Sequence, residues 1–117
     1  VRRICPHCAF DSSLSADQIA MLGIKIAHER REQLRVRKGE GCVECRHTGL
    51  YGRTGVFEML DVGRRVQQLL RDRRDALEIT RAARIEGMPT LREAAIRRLA
   101  EGVTPFEEVV RVTADAE

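Results

Sequence analysis

The sequence is short of aromatic residues. Of its 117 residues, three are phenylalanine, one is tyrosine and none is tryptophan, so a hydrophobic core must be built from leucine, isoleucine, valine and alanine. Charged residues make up 33% of the chain, yet the net charge is only +3, and basic and acidic residues alternate, as at positions 71–75. A nucleic-acid-binding domain more often carries a concentrated basic stripe with aromatic residues between the charges. The composition therefore favours solvated helix surfaces over that class.

Membrane, targeting and catalytic signals are also missing from the sequence. No apolar run approaches the length of a membrane span, and no segment resembles a signal peptide. The glycines at positions 49, 52 and 55 match neither a phosphate-binding loop nor the dinucleotide-binding pattern. We therefore expect no catalytic residues and no direct membrane insertion here. The chain begins at Val1 and not at methionine, which indicates a piece of a longer protein.

All four cysteines occur in two Cys-x-x-Cys pairs, Cys5 with Cys8 and Cys42 with Cys45. Four thiols in two such turns form the ligand set of a closed tetrahedral zinc site. Because four sulfur ligands leave no position for water or substrate, the predicted zinc is structural and not catalytic. Unoxidised zinc thiolates favour a reducing compartment, which predicts a cytoplasmic location.

Two other interpretations of the cysteines stay open. A disulfide framework is typical of small secreted proteins, and a Cys-x-x-Cys pair with Pro6 and His7 between its thiols could be a redox centre. The second pair argues against a thioredoxin-like role. His7 and His47 lie close to the thiols in sequence, and we expect them to donate to thiolates or to face solvent. His28 lies in a charged stretch and is expected to be exposed.

The segment between the two pairs is predicted to have secondary structure of its own. Residues 15–18 form a capping-box sequence that predicts a short helix over about 15–22, which Gly23 ends. Leu34 and Val36 alternate with polar residues and predict a short strand leading to Cys42, within a highly charged stretch at 28–40. Beyond Cys45, three glycines within seven positions predict turns or close backbone approach.

Residues 56–60 predict a buried strand. A lone strand has little to pair with, so we expect it to complete a sheet in a part of the protein outside this sequence.

The pattern from residue 64 onward predicts four helices. The predicted starts are a helix from residue 64, an Asp75 cap with Glu78, a Thr90 capping box, and Thr104 followed by proline at the first helical position. Their apolar faces predict a bundle core. The predicted fold is mainly α with little β: a zinc-binding subdomain at 1–48, a glycine-rich turn and strand at 49–62, and a four-helix C-terminal bundle at 63–117.

The order of these motifs resembles the C-terminal region of type II secretion and type IV pilus assembly ATPases, the GspE/PilB type. Residues 42–58 closely resemble that family's Cys-x-x-Cys-x-x-Thr-Gly-Tyr-x-Gly-Arg-x-Gly-Ile-Tyr-Glu run. Residues 2–8 are similar to its Arg-x-Leu-Cys-x-x-Cys. Residues 86–93 resemble its Gly-Met-x-Thr-Leu-Arg-x-Asp/Glu, and residues 102–109 its Gly-x-Thr-x-x-Glu-Glu-Val. The resemblance covers nearly the whole chain in order.

The resemblance implies a hexameric cytoplasmic ATPase that lies peripherally at the inner membrane and works through a membrane platform protein. ATP and Mg²⁺ would bind in the parent's α/β core, whose phosphate loop, Asp box, Walker B and His box all precede the zinc region. The four cysteines would be the zinc ligands, and the chain itself would not be an enzyme. Its partners would be the rest of the parent, neighbouring subunits of a homo-hexamer and the platform protein. Nucleic acid is not among them, although a free-standing zinc module that binds nucleic acid is the alternative function.

Arg53 is expected to pair with a carboxylate or a helix end, with a contact across a hexamer interface as the second interpretation.

Overall fold

The computed structural model describes residues 1–23 and 35–114. Most of its residues in regular secondary structure are helical, and two small sheets make up the β part. The elements, in chain order, are β1 (Arg2–Ile4), β2 (Ala9–Ser13), α1 (Ala16–Leu22), β3 (Arg35–Gly39), β4 (Leu50–Arg53), α2 (Arg64–Arg71), α3 (Ala76–Ile85), α4 (Leu91–Ala100) and α5 (Phe106–Val112). The predictions for His28, for Leu34 and for the charged stretch up to residue 34 lie outside the described residues.

The two sheets are antiparallel strand pairs. β1 pairs with β4, and β2 pairs with β3 in a register that places Ala9 opposite Gly39 and Ser13 opposite Arg35. The strand predicted at Val36 is confirmed as β3. The glycine-rich stretch at 49–55 was expected to form turns or a close backbone approach; its residues 50–53 form β4, because β1 supplies a partner that lies far away in sequence. Local patterns do not reveal such a partner.

The buried strand predicted at residues 56–60 is not present. The chain between β4 and α2 has no regular structure, and the side chains of Phe57 and Met59 are 70% and 78% exposed. No described strand lies alongside this segment to accept its backbone hydrogen bonds, which is why its apolar pattern alone does not make it a strand. Two contacts hold the segment: Val56 packs against the apolar core, and the Glu58 carboxylate accepts a hydrogen bond of 2.7 Å from the Leu91 N–H at the start of α4.

Three predicted helix caps are confirmed and one is wrong. Ser15 and Thr90 form complete capping boxes, and the Asp75 side chain accepts from the Glu78 N–H. At α5, however, Pro105 is the N-cap and Thr104 lies outside the helix. The Thr104 hydroxyl instead donates a hydrogen bond of 2.8 Å to the carbonyl of Arg2. A distant strand competes successfully for a side chain that local sequence assigns to the helix.

The four C-terminal helices pack as two pairs, α2 on α3 and α4 on α5, so a single four-helix bundle is not confirmed. The main apolar core joins α1 and β3 to α4 and α5 through Leu22, Val36, Ala95, Leu99, Phe106 and Val109. This core therefore crosses the boundary between the first and third predicted domains. Among the described helices, none combines the length and the apolar composition needed to cross a membrane.

Candidate metal centre

The four cysteine sulfurs lie in one cluster, with every Sγ within 4.8 Å of the others. Cys5 Sγ is 3.8 Å from Cys42 Sγ, Cys8 Sγ is 3.8 Å from Cys45 Sγ, and the sulfurs of Cys42 and Cys45 are 3.7 Å apart. A tetrahedral ion with Zn–S distances of about 2.3 Å requires sulfur separations of about 3.8 Å. A disulfide requires about 2.05 Å, so the cysteines are not bridged in this structure. The arrangement can hold a metal ion.

Backbone hydrogen bonds from the two sheets bring the Cys-x-x-Cys turns together. Cys5 directly follows β1, and its N–H donates to the carbonyl of Gly49 at 2.9 Å. Cys8 directly precedes β2, and its carbonyl accepts from the Glu40 N–H at 3.1 Å. The second turn is a short 3₁₀ segment, Val43–Cys45. The first turn is thus bonded to the chain on both sides of the second turn, through Cys5 to Gly49 and through Cys8 to Glu40.

The tight approach of the two turns depends on glycine. A Cβ atom at Gly49 would lie 2.5 Å from the carbonyl oxygen of Gly39, and Gly49 has a φ of +78°. Gly41 has a φ of +104°, and a Cβ atom there would lie 2.9 Å from the carbonyl oxygen of His47. Since L-residues with a side chain rarely adopt such φ values, these glycines permit the backbone crossing. The predicted close approach is confirmed at Gly49.

Backbone N–H groups point at the sulfurs. The N–H groups of Cys42 and Gly49 each donate to Cys45 Sγ at 3.2 Å, and the Gly41 N–H donates to Cys8 Sγ at 3.3 Å. Such donors stabilise thiolates, the form that binds metal. Burial raises the pKa of Cys45, but the two backbone donors and the neighbouring thiols of Cys42 and Cys8 together lower that pKa to about 6. Burial raises the pKa of Cys8 to about 12, against the single donor from Gly41.

The other residues singled out in the sequence lie around this cluster without entering it. His7 and His47 are exposed, as one of the two expectations for them had it. Arg53, at the end of β4, is also exposed, and within the described ranges no carboxylate lies at ion-pair distance from it. Its predicted pairing is therefore not confirmed.

Sequence reasoning missed a second polar site, on α5. Glu108 is 2% exposed and accepts hydrogen bonds from two guanidinium groups, Arg111 at 2.8 and 3.1 Å and Arg2 at 2.6 and 3.0 Å. Hydrogen bonds from Arg111 lower the pKa of this carboxyl well below its usual range; burial opposes them and bonds from Arg2 add to them. From sequence, Glu107 and Glu108 are simply two acidic residues at a helix start. The Glu-Glu-Val match was the only available signal.

Comparisons with known proteins match nearly the whole chain to one family. A family model described as type II/IV secretion system protein matches residues 1–111. The chain is 34% identical over 113 residues to the type IV pilus assembly ATPase PilB of Thermus thermophilus. The aligned residues make up 97% of this chain and 12% of that protein.

Two further relatives are type II secretion proteins. The type II secretion system protein E of Pseudomonas aeruginosa is 34% identical over 113 residues, 97% of this chain and 22% of its own length. The type II secretion system ATPase E of Vibrio cholerae is 29% identical over 116 residues, 99% of this chain and 22% of its own length. The chain therefore spans less than a quarter of each of these relatives.

Proposed function

Because the chain belongs to the type II/IV secretion system protein family, we propose that it is the structural zinc-binding segment of an ATPase that powers protein secretion or pilus assembly. The observation that supports the proposal is one cluster of the four sulfurs, in which three separations are 3.7–3.8 Å, the spacing expected around a tetrahedral ion. The relatives named above are secretion or pilus proteins, and two of the three carry the word ATPase in their names.

The four cysteines would hold Zn²⁺ as a closed ligand set, and the ion would join the two turns without taking part in a reaction. Closing the segment at residues 9–41 costs about 3 kcal/mol in chain entropy beyond a constant term. A structural zinc contributes about 10–16 kcal/mol, so the ion would more than offset the closure. The residues themselves position the sulfurs, exclude water from the buried thiols of Cys5 and Cys45, and donate N–H groups to the thiolates.

ATP hydrolysis would take place in the parent protein, with ATP and Mg²⁺ bound outside these 117 residues. The absence of a phosphate-binding loop from the sequence supports this assignment, and the segment itself would have no ATPase activity. The parent would be a cytoplasmic homo-hexamer, held peripherally at the inner membrane by a platform protein.

The exposed apolar residues Phe57, Met59, Leu60 and Val62 support a contact between this segment and the rest of the parent. In that contact, residues 56–60 would find the partner strand that the described chain does not supply.

Metal analysis of the purified chain tests the zinc assignment. We expect one zinc per chain, and none in Cys42→Ser. Val43→Ser is a matched control, because Val43 lies in the same turn, is 79% exposed and receives the same new side chain. A metal content that Cys42→Ser leaves unchanged would contradict the assignment.

The reading frame upstream of this segment tests the assignment to an ATPase. We expect a phosphate-binding loop on the same polypeptide, and ATP hydrolysis by the full-length protein but not by the isolated 117 residues. Turnover by a clean preparation of the isolated chain would contradict the proposal.

A further inference from the structure

Three hydrogen bonds that involve the backbone of β1 tie this strand to the turn and helix near the end of the chain. The Ile4 N–H donates to the carbonyl of Val103 at 2.8 Å. The Thr104 hydroxyl donates to the carbonyl of Arg2 at 2.8 Å, and the Arg2 N–H donates to Glu108 Oε2 at 2.9 Å. β1 leads directly into Cys5. The strand that positions the first metal-binding turn is therefore also hydrogen-bonded to the region where α5 starts.

Glu108 is the centre of this connection. Its carboxylate is buried and receives the backbone N–H and the guanidinium of Arg2 together with the guanidinium of Arg111. A buried carboxylate is costly unless it is paired and hydrogen-bonded, and bidentate arginine pairs are among the strongest such contacts. We call Glu108 with Arg2, Thr104 and Arg111 the Glu108 latch. Because three of its five hydrogen bonds come from Arg2 in β1, the carboxylate keeps its full set of donors only while β1 and α5 stay together.

The apolar core makes the same connection. Leu22 and Val36 come from the part of the chain between the two metal-binding turns, whereas Leu99, Phe106 and Val109 come from α4 and α5. Val36 lies in β3, which pairs with β2 directly after Cys8. Loosening the metal centre would therefore expose apolar surface that belongs to α4 and α5 as well.

The α2–α3 pair is attached differently. Its buried residues, Val66, Leu69, Ala82 and Ala83, do not belong to the core cluster found among the described residues. A polar link from this pair to α4 is the ion pair between Arg84 and Glu93, which has two hydrogen bonds of 2.5 and 2.9 Å, with both side chains about 40% exposed. Solvent screens an ion pair at this exposure, so it holds the two helices together less strongly than the buried carboxylate of Glu108 holds β1 to α5.

We propose that the metal centre and the α4–α5 pair form one cooperative folding unit joined by the Glu108 latch, and that α2–α3 is a second, weakly coupled unit. The proposal deepens the proposed function. It rests on that function in one respect, because it requires a bound metal to order the cysteine turns. Metal binding would then control the last two helices, although they supply no ligand. Because coupling is reciprocal, a change in the latch would also change the hold on the metal.

Hydrogen–deuterium exchange on the zinc-loaded chain, before and after chelation, measures the coupling. We expect metal removal to raise amide exchange in α4 and α5 by about tenfold or more, together with exchange in the four strands. Exchange in α2 and α3 should rise much less. A rise confined to the cysteine turns would overturn the proposal, and so would an equal rise in both helix pairs.

A second experiment alters the Glu108 latch and leaves the four cysteines unchanged. Glu108→Gln should speed zinc transfer to a chelator by about tenfold, the effect of weakening hydrogen bonds to a charged group. Glu107→Gln is the matched control, because Glu107 is exposed and its nearest partner, Lys38, is 3.7 Å away. Thr104→Val removes only the bond to the Arg2 carbonyl and serves if Glu108→Gln does not fold. Equal transfer rates in the wild type, Glu108→Gln and Thr104→Val would overturn the proposal.

Elemental analysis separates the two proposals. If the purified chain holds no metal, the proposed zinc function fails, and exchange in Glu108→Gln then decides the coupling alone. A joint rise in β1 and α5 supports the cooperative unit, whereas a rise in α5 alone overturns it.

Discussion

A Cβ atom at Gly39 would lie 2.7 Å from the Cα of Gly49. Gly39 ends β3 and Gly49 directly precedes β4, so the two sheets cross at this point without an intervening side chain. The crossing sets the separation of the two cysteine turns, because Gly49 also donates to Cys45 Sγ and accepts from the Cys5 N–H.

Gly39→Ala tests the importance of this crossing. The added methyl group meets backbone atoms that cannot rotate away, so we expect a loss of about 1–3 kcal/mol in the free energy of unfolding and weaker metal binding. Urea denaturation and competition with a chelator measure the two effects. Gly63→Ala is the control for steric room, because its Cβ would find the nearest atom at 3.9 Å; Gly63 is the N-cap of α2, where alanine lowers stability somewhat, so this control should leave metal binding unchanged. Equal effects of the two substitutions would contradict the claim that the backbone crossing at Gly39 leaves no space for a side chain.

Glu108→Gln should lower the free energy of unfolding by about 1.5–3 kcal/mol at neutral pH, and this difference from the wild type should depend on pH. The pKa of Glu108 is lowered in the folded state, so its contribution is complete above the unfolded value of about 4.3. It is lost as the pH falls below that value toward the folded pKa, because the unfolded state then binds more protons.

Denaturant titrations of the wild type and Glu108→Gln between pH 7 and pH 3 measure this dependence. The stability difference should be constant above about pH 5 and should shrink at lower pH. A difference that grows as the pH falls would contradict the ion-pair assignment.

Thr90→Ala removes a confirmed cap of α4, where the threonine hydroxyl accepts from the Glu93 N–H at 3.1 Å. We expect a loss of about 1 kcal/mol, typical of an N-cap, measured by thermal or urea unfolding. Thr80→Ala is the control in the middle of α3, because Thr80 is exposed and alanine has the higher helix propensity. A loss at Thr80 as large as that at Thr90 would argue against a capping role.

The two histidines near the thiols should not affect metal content. His7→Ala and His47→Asn should each retain one metal per chain, since both side chains are exposed and four sulfurs complete the tetrahedral set. Asparagine is chosen at position 47 because the residue there has a φ of +61°, which asparagine tolerates. Loss of metal from either variant, measured by elemental analysis, would show that an imidazole replaces a sulfur.

The sequence predicted what short-range chemistry determines. The spacing within Cys5–Cys8 and Cys42–Cys45 identified the cluster, because two residues between thiols fix a turn that presents both sulfurs together. The caps at Ser15 and Thr90 were equally local. Thr104 was assigned wrongly and β4 was not predicted, because their partners, Arg2 and β1, lie 102 and about 50 residues away. A pattern read along the chain carries no information about such partners.

The helix faces were predicted only in part for a similar reason. Val66 and Leu69 are buried as their spacing indicates, but Leu70, expected on the same face of α2, is 51% exposed. On α3, Leu77 and Ile85 are 50% and 87% exposed. The periodicity identifies an apolar face and does not say which partner covers it. Here α4 and α5 pack against α1 and β3. The buried apolar residues of α2 and α3 therefore pack against each other, outside that core.

X-ray absorption spectroscopy at the zinc edge, together with elemental analysis of the purified chain, tests the central claim most directly. We expect one zinc per chain, surrounded by four sulfur atoms at about 2.3 Å with no nitrogen or oxygen ligand. A chain that binds no metal under reducing conditions, or whose zinc has an oxygen or nitrogen ligand in place of one sulfur, would contradict it.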